Sequence, residues 1–423
     1  MEEKNTVAKV VTVGIYQQGG AEECERSLKE LERLVETAGG NVFATLTQMK
    51  NTPEAATYIG EGKLNELAEI CKNNNADKVV FDCELSPAQI KNIENVTETD
   101  VIDRSMLILD IFALHAKSAE GKIQVELAQL KYTAPRLIGV GRDMSRLGGG
   151  IGTRGPGESK LEIDRRRLSS RIAFLQDQLR EIEKNRLTAR AQRDKSGIPK
   201  AAIVGYTNAG KSTILNMLTG AGILAEDKLF ATLDPTTRKY ELPSGISMLL
   251  TDTVGFIRKL PHHLIHAFRS TLDEAVYADF LIIVVDSSDD ECFEHMAVTE
   301  YILQGLEAFD KPKLYIFNKA DKCTPERLYD LRLIKGRDDR VVSLCAKSGH
   351  GIDELLEQLE ALCRSGKSVE AFLFPYTEQG ALNSLYAVAE IRETKYTDEG
   401  VWVEAIVDVK AKGMFKKFLK TAM

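Results

Sequence analysis

Nowhere in the chain do about 18 apolar residues run together, the length a membrane-spanning helix needs, and the opening MEEKNTVAKV has no apolar core of the kind a secretory signal carries. Neither a membrane span nor export is expected. Cysteine is sparse and scattered: seven residues, an odd number, with no C-x-x-C pair. That pattern argues against a disulfide framework or a thiolate zinc site and for free thiols in a reducing, cytoplasmic compartment. Internal repeats are absent. Positive charge is not in excess, the net charge being −7, so the protein as a whole is not a basic nucleic-acid binder.

What is present is enough chain for about three domains by the usual size range, since it has 423 residues with 43% hydrophobic and 28% charged content. Charge is uneven. Between Arg136 and Lys195 stand 15 Lys or Arg against 8 Asp or Glu. A basic segment in an acidic chain hints at a polyanionic partner, although long helices also carry many charges on a solvated face.

Residues 1–102 alternate in period. Val- and Ile-rich strands are expected at 7–16, 42–49 and 78–83. Helices are expected at 21–37, 62–72 and from Ser86-Pro87 onward, with Pro at its tolerated first position. This implies an α/β domain with a parallel sheet. Residues 103–197 read as a helical hairpin: a helix over 105–132 ended by Pro135, a glycine-rich tip over 139–157, and a second helix. The seam of that second helix is Leu161, Leu168, Ile172, Leu175, Leu179 and Ile182. Residues 198–364 form a second α/β domain, and 365–423 a small α+β domain with strands at 369–376 and 401–410 and a helix at 381–390.

The chemistry lies in the second α/β domain. A short apolar strand, 201–204, runs into Gly205-Tyr206-Thr207-Asn208-Ala209-Gly210-Lys211-Ser212, and a helix follows. This is a P-loop in its strand–loop–helix context: backbone N–H groups converge on phosphate oxygens and the helix N-terminus adds positive potential. Lys211 neutralises the β- and γ-phosphates, and Ser212 offers its hydroxyl to Mg²⁺. Asp252-Thr253-Val254-Gly255 follows a strand, with Asp252 in the Mg²⁺ shell and the Gly255 N–H near the γ-phosphate. Between them lies Phe230-Ala231-Thr232-Leu233-Asp234, then Pro235-Thr236-Thr237. A threonine here completes the Mg²⁺ shell in the triphosphate state; Thr232 is favoured, with Thr236 and Thr237 as rivals. Asn318-Lys319-Ala320-Asp321 ends another apolar strand and suits guanine, whose N1–H and exocyclic amine can both donate to Asp321. Cys345-Ala346-Lys347 ends the next strand and offers backbone contacts to the base O6. Lys211, Asn208 and Gly255 are the residues expected to act at the reacting phosphate.

Four motifs in this order, each at a strand end, resemble the translation-factor-related P-loop GTPases over residues 199–364. That class has Ser where Cys345 stands. Many GTPases also have Gln where Phe256 stands, and a phenyl ring cannot orient the attacking water. Slow intrinsic hydrolysis accelerated by a partner or an ion is therefore expected. Asn208 matches the asparagine that helps hold a monovalent cation such as K⁺ in related GTPases, or else stabilises the loop turn. His262, His263 and His266 are spaced for a metal on a helix but lack completing ligands, and a helix beside the switch is preferred. Gly60-Glu61-Gly62-Lys63 is too short for a second P-loop and reads as a helix start.

Gly148-Gly149-Gly150-Ile151-Gly152-Thr153-Arg154-Gly155-Pro156-Gly157-Glu158, with Leu161-Glu162-Ile163-Asp164-Arg165-Arg166-Arg167, resembles the signature of the HflX family of ribosome-associated GTPases. The likeness spans roughly residues 7–364. It implies an N-terminal α/β domain, a helical hairpin, a GTPase domain taking GTP and GDP, binding to the large ribosomal subunit and its rRNA, and splitting of stalled ribosomes under stress. No oligomer is implied. Arg142, Arg146 and Arg154, in or beside a tip of little bulk, are the candidate RNA contacts. The alternatives are a GTP-dependent assembly factor for the large subunit and a nucleotide-dependent binding switch with negligible turnover.

Overall fold

The computed structural model describes residues 7–146, 156–194, 197–220, 228–261, 264, 268–334, 340–365 and 367–420. No helix among them is long and apolar enough to cross a membrane.

The N-terminal unit comprises β1 (Ala8–Tyr16), α1 (Ala21–Thr37), β2 (Gly40–Met49), α2 (Glu61–Asn74), β3 (Lys78–Phe81), α3 (Pro87–Thr97), β4 (Asp100–Asp103) and α4 (Arg104–His115). Its four strands are parallel in the order β2-β1-β3-β4. The period of two along each strand sorts the side chains. Val11, Val13, Val79 and Phe81 face α2 and α3, packing on Leu64, Leu67, Ile90 and Ile93. Val10 and Val80 face the other way, into a core with Leu28, Leu31 and Leu34 of α1 and Leu107, Ile108 and Phe112 of α4. Each such fully buried leucine contributes roughly 1.5–3 kcal/mol. As the sequence predicts, Ser86-Pro87 opens α3; Ser86 caps it in a reciprocal box with Gln89 that was not expected. The Gly60–Lys63 segment is a helix start, the Gly60 N–H being taken by the Gln48 side chain.

The expected single helix over 105–132 is two helices. Asp103 caps α4 through the Met106 N–H, and α4 stops at His115. A new helix, α5 (Ala119–Arg146), starts after Ser118, whose hydroxyl accepts from the Gly121 N–H at 2.8 Å. Because α4 lies beneath the first sheet, the hairpin proper begins at α5, not at residue 103. Pro135 does not end α5. The hydrogen bond it forfeits is the one to the carbonyl of exposed Lys131, where water can serve. Gly139 and Gly141 are therefore helical, so the tip expected over 139–157 begins inside α5. The return helix, α6 (Pro156–Asp194), opens on Pro156. Residues 147–155, with Arg154, lie outside the described residues, as do His262, His263 and His266; Arg142 and Arg146 sit in the last part of α5. Among the described seam residues of α6, Leu168, Ile172, Leu179 and Ile182 are half-buried and Leu175 fully buried. Arg171 grips Glu126 of α5 with two hydrogen bonds, of 2.7 and 2.8 Å.

The third unit has a six-stranded sheet in the order β10-β9-β8-β5-β7-β6, parallel except for the edge strand β6 (Thr236–Glu241). Its other strands are β5 (Lys200–Gly205), β7 (Ser247–Asp252), β8 (Phe280–Asp286), β9 (Lys313–Asn318) and β10 (Arg340–Ser343). The helices are α7 (Lys211–Thr219), α8 (Arg269–Tyr277), α9 (Cys292–Gly305), α10 (Pro325–Ile334) and α11 (Ile352–Arg364). One face of this sheet buries Ile214, Leu215, Leu355 and Leu359. The other is continuous with the α1–α4 core: Leu31 and Phe112 share one cluster with Phe230, Leu233, Phe256, Phe268 and Ile283. Phe112 meets Phe230 and Phe268 edge-on, at 4.8 and 4.5 Å between ring centres. The first and third units are thus packed as one body around the nucleotide motifs.

The last unit is an antiparallel sheet, β12-β13-β11-β14, with α12 (Gln379–Val388) and a short α13 (Val409–Met414). The strand β12 (Glu390–Thr397) was not expected, its sequence EIRETKYT being polar at most positions. The strand expected at 401–410 is β13 (Gly400–Asp408), and residues 409 and 410 open α13. The flanking strands are β11 (Lys367–Phe374) and β14 (Leu419–Lys420).

Candidate nucleotide site

β5 is central, hydrogen-bonded to β7 on one side and β8 on the other, so the ends of these strands bring their loops together. Gly205 (φ 151°) presses on the Val284 carbonyl and Gly210 (φ 98°) on the Asn318 amide; a Cβ at either would collide. Asn208 is also left-handed, at φ 60°. Lys211 starts α7 and is buried, its Nζ 2.8 Å from the Tyr206 carbonyl and 3.2 Å from that of Gly205. Burial pulls this ammonium down to about 8, against the opposing pull of Asp252.

Ser212 Oγ donates to Asp252 Oδ2 at 2.6 Å and lies 2.9 Å from Thr232 Oγ1. Burial pushes the Asp252 carboxyl up, with Lys211, Ser212 and Thr232 opposing. Asp252 Oδ1 is buried with no hydrogen-bond partner among the described residues. An orphaned carboxylate oxygen beside two hydroxyls is a hard-oxygen set that suits Mg²⁺. The rival threonines are elsewhere: Thr236 and Thr237 are in β6, and Thr237 pairs with Thr251 across the strands.

Gly255 abuts Thr207 and the Lys211 Nζ so closely that a side chain has no room there. Thr253 and Val254 are buried away from this cleft, and Thr253 bonds the Ile203 carbonyl at 2.7 Å. The next residue, Phe256, is buried, its backbone pairing with Gly205 and Thr207 and its ring in the shared core. The cleft beside Lys211 is lined by Thr207, Asn208, Ser212, Ala231, Thr232 and Gly255.

At the base end, Asn318 is buried and fastens two loops. Its Nδ2 donates to the Ala209 carbonyl at 2.8 Å, and its Oδ1 accepts from the Ala346 N–H at 3.1 Å. Lys319 (φ 60°) pairs with Asp286 at 2.6 Å, and the Ala320 N–H bonds the Leu344 carbonyl. Asp321 is exposed. A hydrogen bond from the Cys345 thiol, ahead of Lys322 and Lys347, holds its carboxyl below the usual range. The backbone of Cys345 closes its own turn, its N–H donating to the His350 carbonyl at 3.0 Å and its carbonyl accepting the Gly349 N–H at 2.9 Å.

Of the expected nucleotide contacts in the 230–234 segment, Phe230 borders the cleft beside Lys211 while its ring lies in the shared core, and Leu233 is buried in that core. The Asp234 carboxylate faces the start of α5, accepting the N–H groups of Lys117 and Ser118 at 2.9 and 2.8 Å and the Ser118 hydroxyl. Its shortest route to an ordered N–H pair is a helix N-terminus, which favours anions. The Tyr206 side chain also leaves the cleft: it stacks on His295 at 3.8 Å, donates to Glu30 of α1 and accepts from the Arg258 N–H at 2.8 Å.

An ionic junction that no sequence motif announces surrounds Glu30. Arg104, buried, pairs with Glu30 and with Asp82 (2.6 Å) and donates to the Arg258 carbonyl at 3.2 Å. Lys259 (φ 50°) pairs with Asp82 at 2.6 Å, and Arg258 with Glu291 at 2.5 Å. Burial pushes the Asp82 carboxyl up, but Arg104 and Lys259 outweigh it and hold it below its ordinary value. Single charged residues far apart in sequence give no periodic or motif signal for such a junction.

Three family descriptions cover most of the chain: "GTP-binding GTPase N-terminal" at residues 25–113, "GTP-binding GTPase Middle Region" at 115–193 and "50S ribosome-binding GTPase" at 200–319. Among curated relatives, GTPase HflX of Caldanaerobacter subterraneus is 48% identical over 397 residues, covering 94% of this chain and 91% of the relative. GTPase HflX of Escherichia coli K12 is 41% identical over 374 residues, covering 88% and 87%. Among solved structures, a GTP-binding protein of Sulfolobus solfataricus in complex with GDP is 26% identical with a TM-score of 0.44, covering 84% of this chain and 98% of that one.

Proposed function

Because the chain belongs to the HflX family of GTPases, we propose that it hydrolyses GTP on the large ribosomal subunit, uses its helical hairpin as the working end, and splits stalled ribosomes under stress. That it is an enzyme turning GTP over to GDP and phosphate follows from the family. Its partner is carried over from the family description of residues 200–319.

In this reading Lys211 and the 205–212 backbone bind the β- and γ-phosphates, and the Gly255 N–H marks the γ-phosphate. Asp321, on the loops that Asn318 fastens through Ala209 and Ala346, selects guanine. Ser212, Thr232 and Asp252 would hold Mg²⁺, which supplies charge neutralisation on the phosphates. Asn208 would hold K⁺. The observation that supports partner-dependent turnover most is Phe256: the site has its binding groups but at this position a buried ring instead of a water-orienting side chain. Arg142, Arg146 and Arg154 would meet rRNA phosphates from the hairpin's far end.

The test is sedimentation of intact ribosomes with the protein and GTP, or with GDP. Dissociation into subunits with GTP alone supports splitting. Binding to immature large particles in preference to intact ribosomes would instead make it an assembly factor.

A further inference from the structure

The segment Phe230–Asp234 carries two attachments two residues apart. Thr232 Oγ1 reaches Ser212 Oγ at 2.9 Å, inside the Mg²⁺ oxygen set. Asp234 Oδ2 accepts the Lys117 and Ser118 N–H groups at 2.9 and 2.8 Å, and its Oδ1 takes the Ser118 hydroxyl. Those three donors form the start of α5, the first helix of the hairpin. Phe230 and Leu233, on either side of Thr232, are pinned in the shared core, so the segment has little freedom to yield between its two attachments. Gly121, in the first turn of α5, has no side chain where the Asp234 carboxylate sits; a Cβ there would collide with Oδ1. The base of the hairpin is braced a second time by Arg186 of α6, which bridges Glu120 of α5 (3.2 Å) and Glu274 of α8 (2.9 Å).

We propose that Asp234 is a positioning residue that ties the Mg²⁺-ligating Thr232 to the first turn of α5, so that nucleotide state and hairpin placement are read by one another. The inference rests on the reading of Thr232 as a Mg²⁺ ligand and is independent of ribosome binding. A triphosphate with Mg²⁺ fixes Thr232, and through two peptide units it fixes the carboxylate that caps α5. A diphosphate makes no demand on Thr232, and the cap loses that support. Linkage makes the effect mutual: a helix start held in place lowers the cost of ordering Thr232, and a displaced one raises it by the same factor.

The full-length protein tests this without ribosomes. Two measurements are made: the Mg²⁺ concentration for half-maximal binding of a non-hydrolysable GTP analogue, and hydrogen exchange along residues 119–134 with the analogue or with GDP. The wild type should exchange more slowly there with the analogue and Mg²⁺ than with GDP. Gly121→Ala changes only the hairpin, adds a residue that helices favour and should fold. It should erase the difference in exchange, raise the Mg²⁺ requirement about tenfold, the scale of one lost charge-assisted contact, and leave GDP affinity as in the wild type. Ser118→Ala, which removes one of the three donors, should act in the same direction but less than Asp234→Ala, and the double variant should do no more than Asp234→Ala alone. Gly121→Ala with a wild-type Mg²⁺ requirement overturns the proposal, as does a wild type whose 119–134 amides exchange equally in both nucleotide states. Wild-type analogue binding that ignores Mg²⁺ would instead remove the Thr232 reading on which the proposal stands.

Discussion

Lys211 is held at about 8 by burial, next to loop carbonyls and Asp252. Only its charged form attracts phosphate, and a bound polyphosphate raises the value again. GTP affinity should therefore be near its maximum below that value in the free protein and weaken above it by up to about tenfold per pH unit. Calorimetry from about pH 7 to about pH 9 should show this together with net proton uptake on binding; an affinity flat across the range would mean that the ammonium is not buried as described. At this scale the motif residues were legible in sequence, because phosphate and guanine recognition impose fixed residue types at fixed spacing. Thr232, favoured from the sequence, is the threonine that lies beside Ser212, while its chemically similar rivals Thr236 and Thr237 are set apart by the start of β6. Asp234 was not legible: a carboxylate next to a nucleotide motif reads as part of it, while its partners lie 116 and 117 positions away.

Among the elements, the junction between α1, α4 and the 256–259 segment turns on Arg104. Removing this cation leaves Glu30 with the Tyr206 hydroxyl but not its Arg104 counter-charge, and Asp82 with Lys259 and the Ser27 hydroxyl. Arg104→Ala should cost about 3–5 kcal/mol, the usual loss for one member of a buried ion pair, read from the midpoint of urea unfolding. The pH dependence has a definite sign. Asp82 is held below its ordinary value, so its contribution to stability is present above the ordinary carboxylate range and is lost as pH falls through the folded value. With Arg104 gone that folded value rises, and acid unfolding should begin at higher pH; an unchanged acid transition would show that Lys259 alone carries Asp82. Three strands of the first unit and the four motif-bearing strands of the third were legible from their apolar pattern, whereas β4, β6 and β8 were not expected. Pro135 and residues 116–118 were not, because a tolerated proline and a helix break held by a distant carboxylate leave the local pattern unchanged. The polar strand β12 was missed for a related reason: most of it meets solvent, so it has no apolar period to show.

For the whole molecule, both segments flanking the γ-phosphate position are attached to something outside the GTPase domain. The 230–234 segment holds the start of the hairpin, and the 256–259 segment holds α1 and α4 through Tyr206, Arg104 and Asp82. Order along the chain gave the sequence of units, but their packing into one core was not visible, since no residue pattern records which apolar face meets which. On the proposed function, hydrolysis waits for a partner, because the position beyond Gly255 is a buried phenyl ring. The decisive measurement is single-turnover GTP hydrolysis with and without purified large ribosomal subunits. Slow hydrolysis by the isolated protein is expected, with a rise of at least about a hundredfold on adding the subunits, the lower range of what partner-supplied groups give GTPases. Rapid turnover by the isolated protein, unchanged by ribosomes or K⁺, would contradict it.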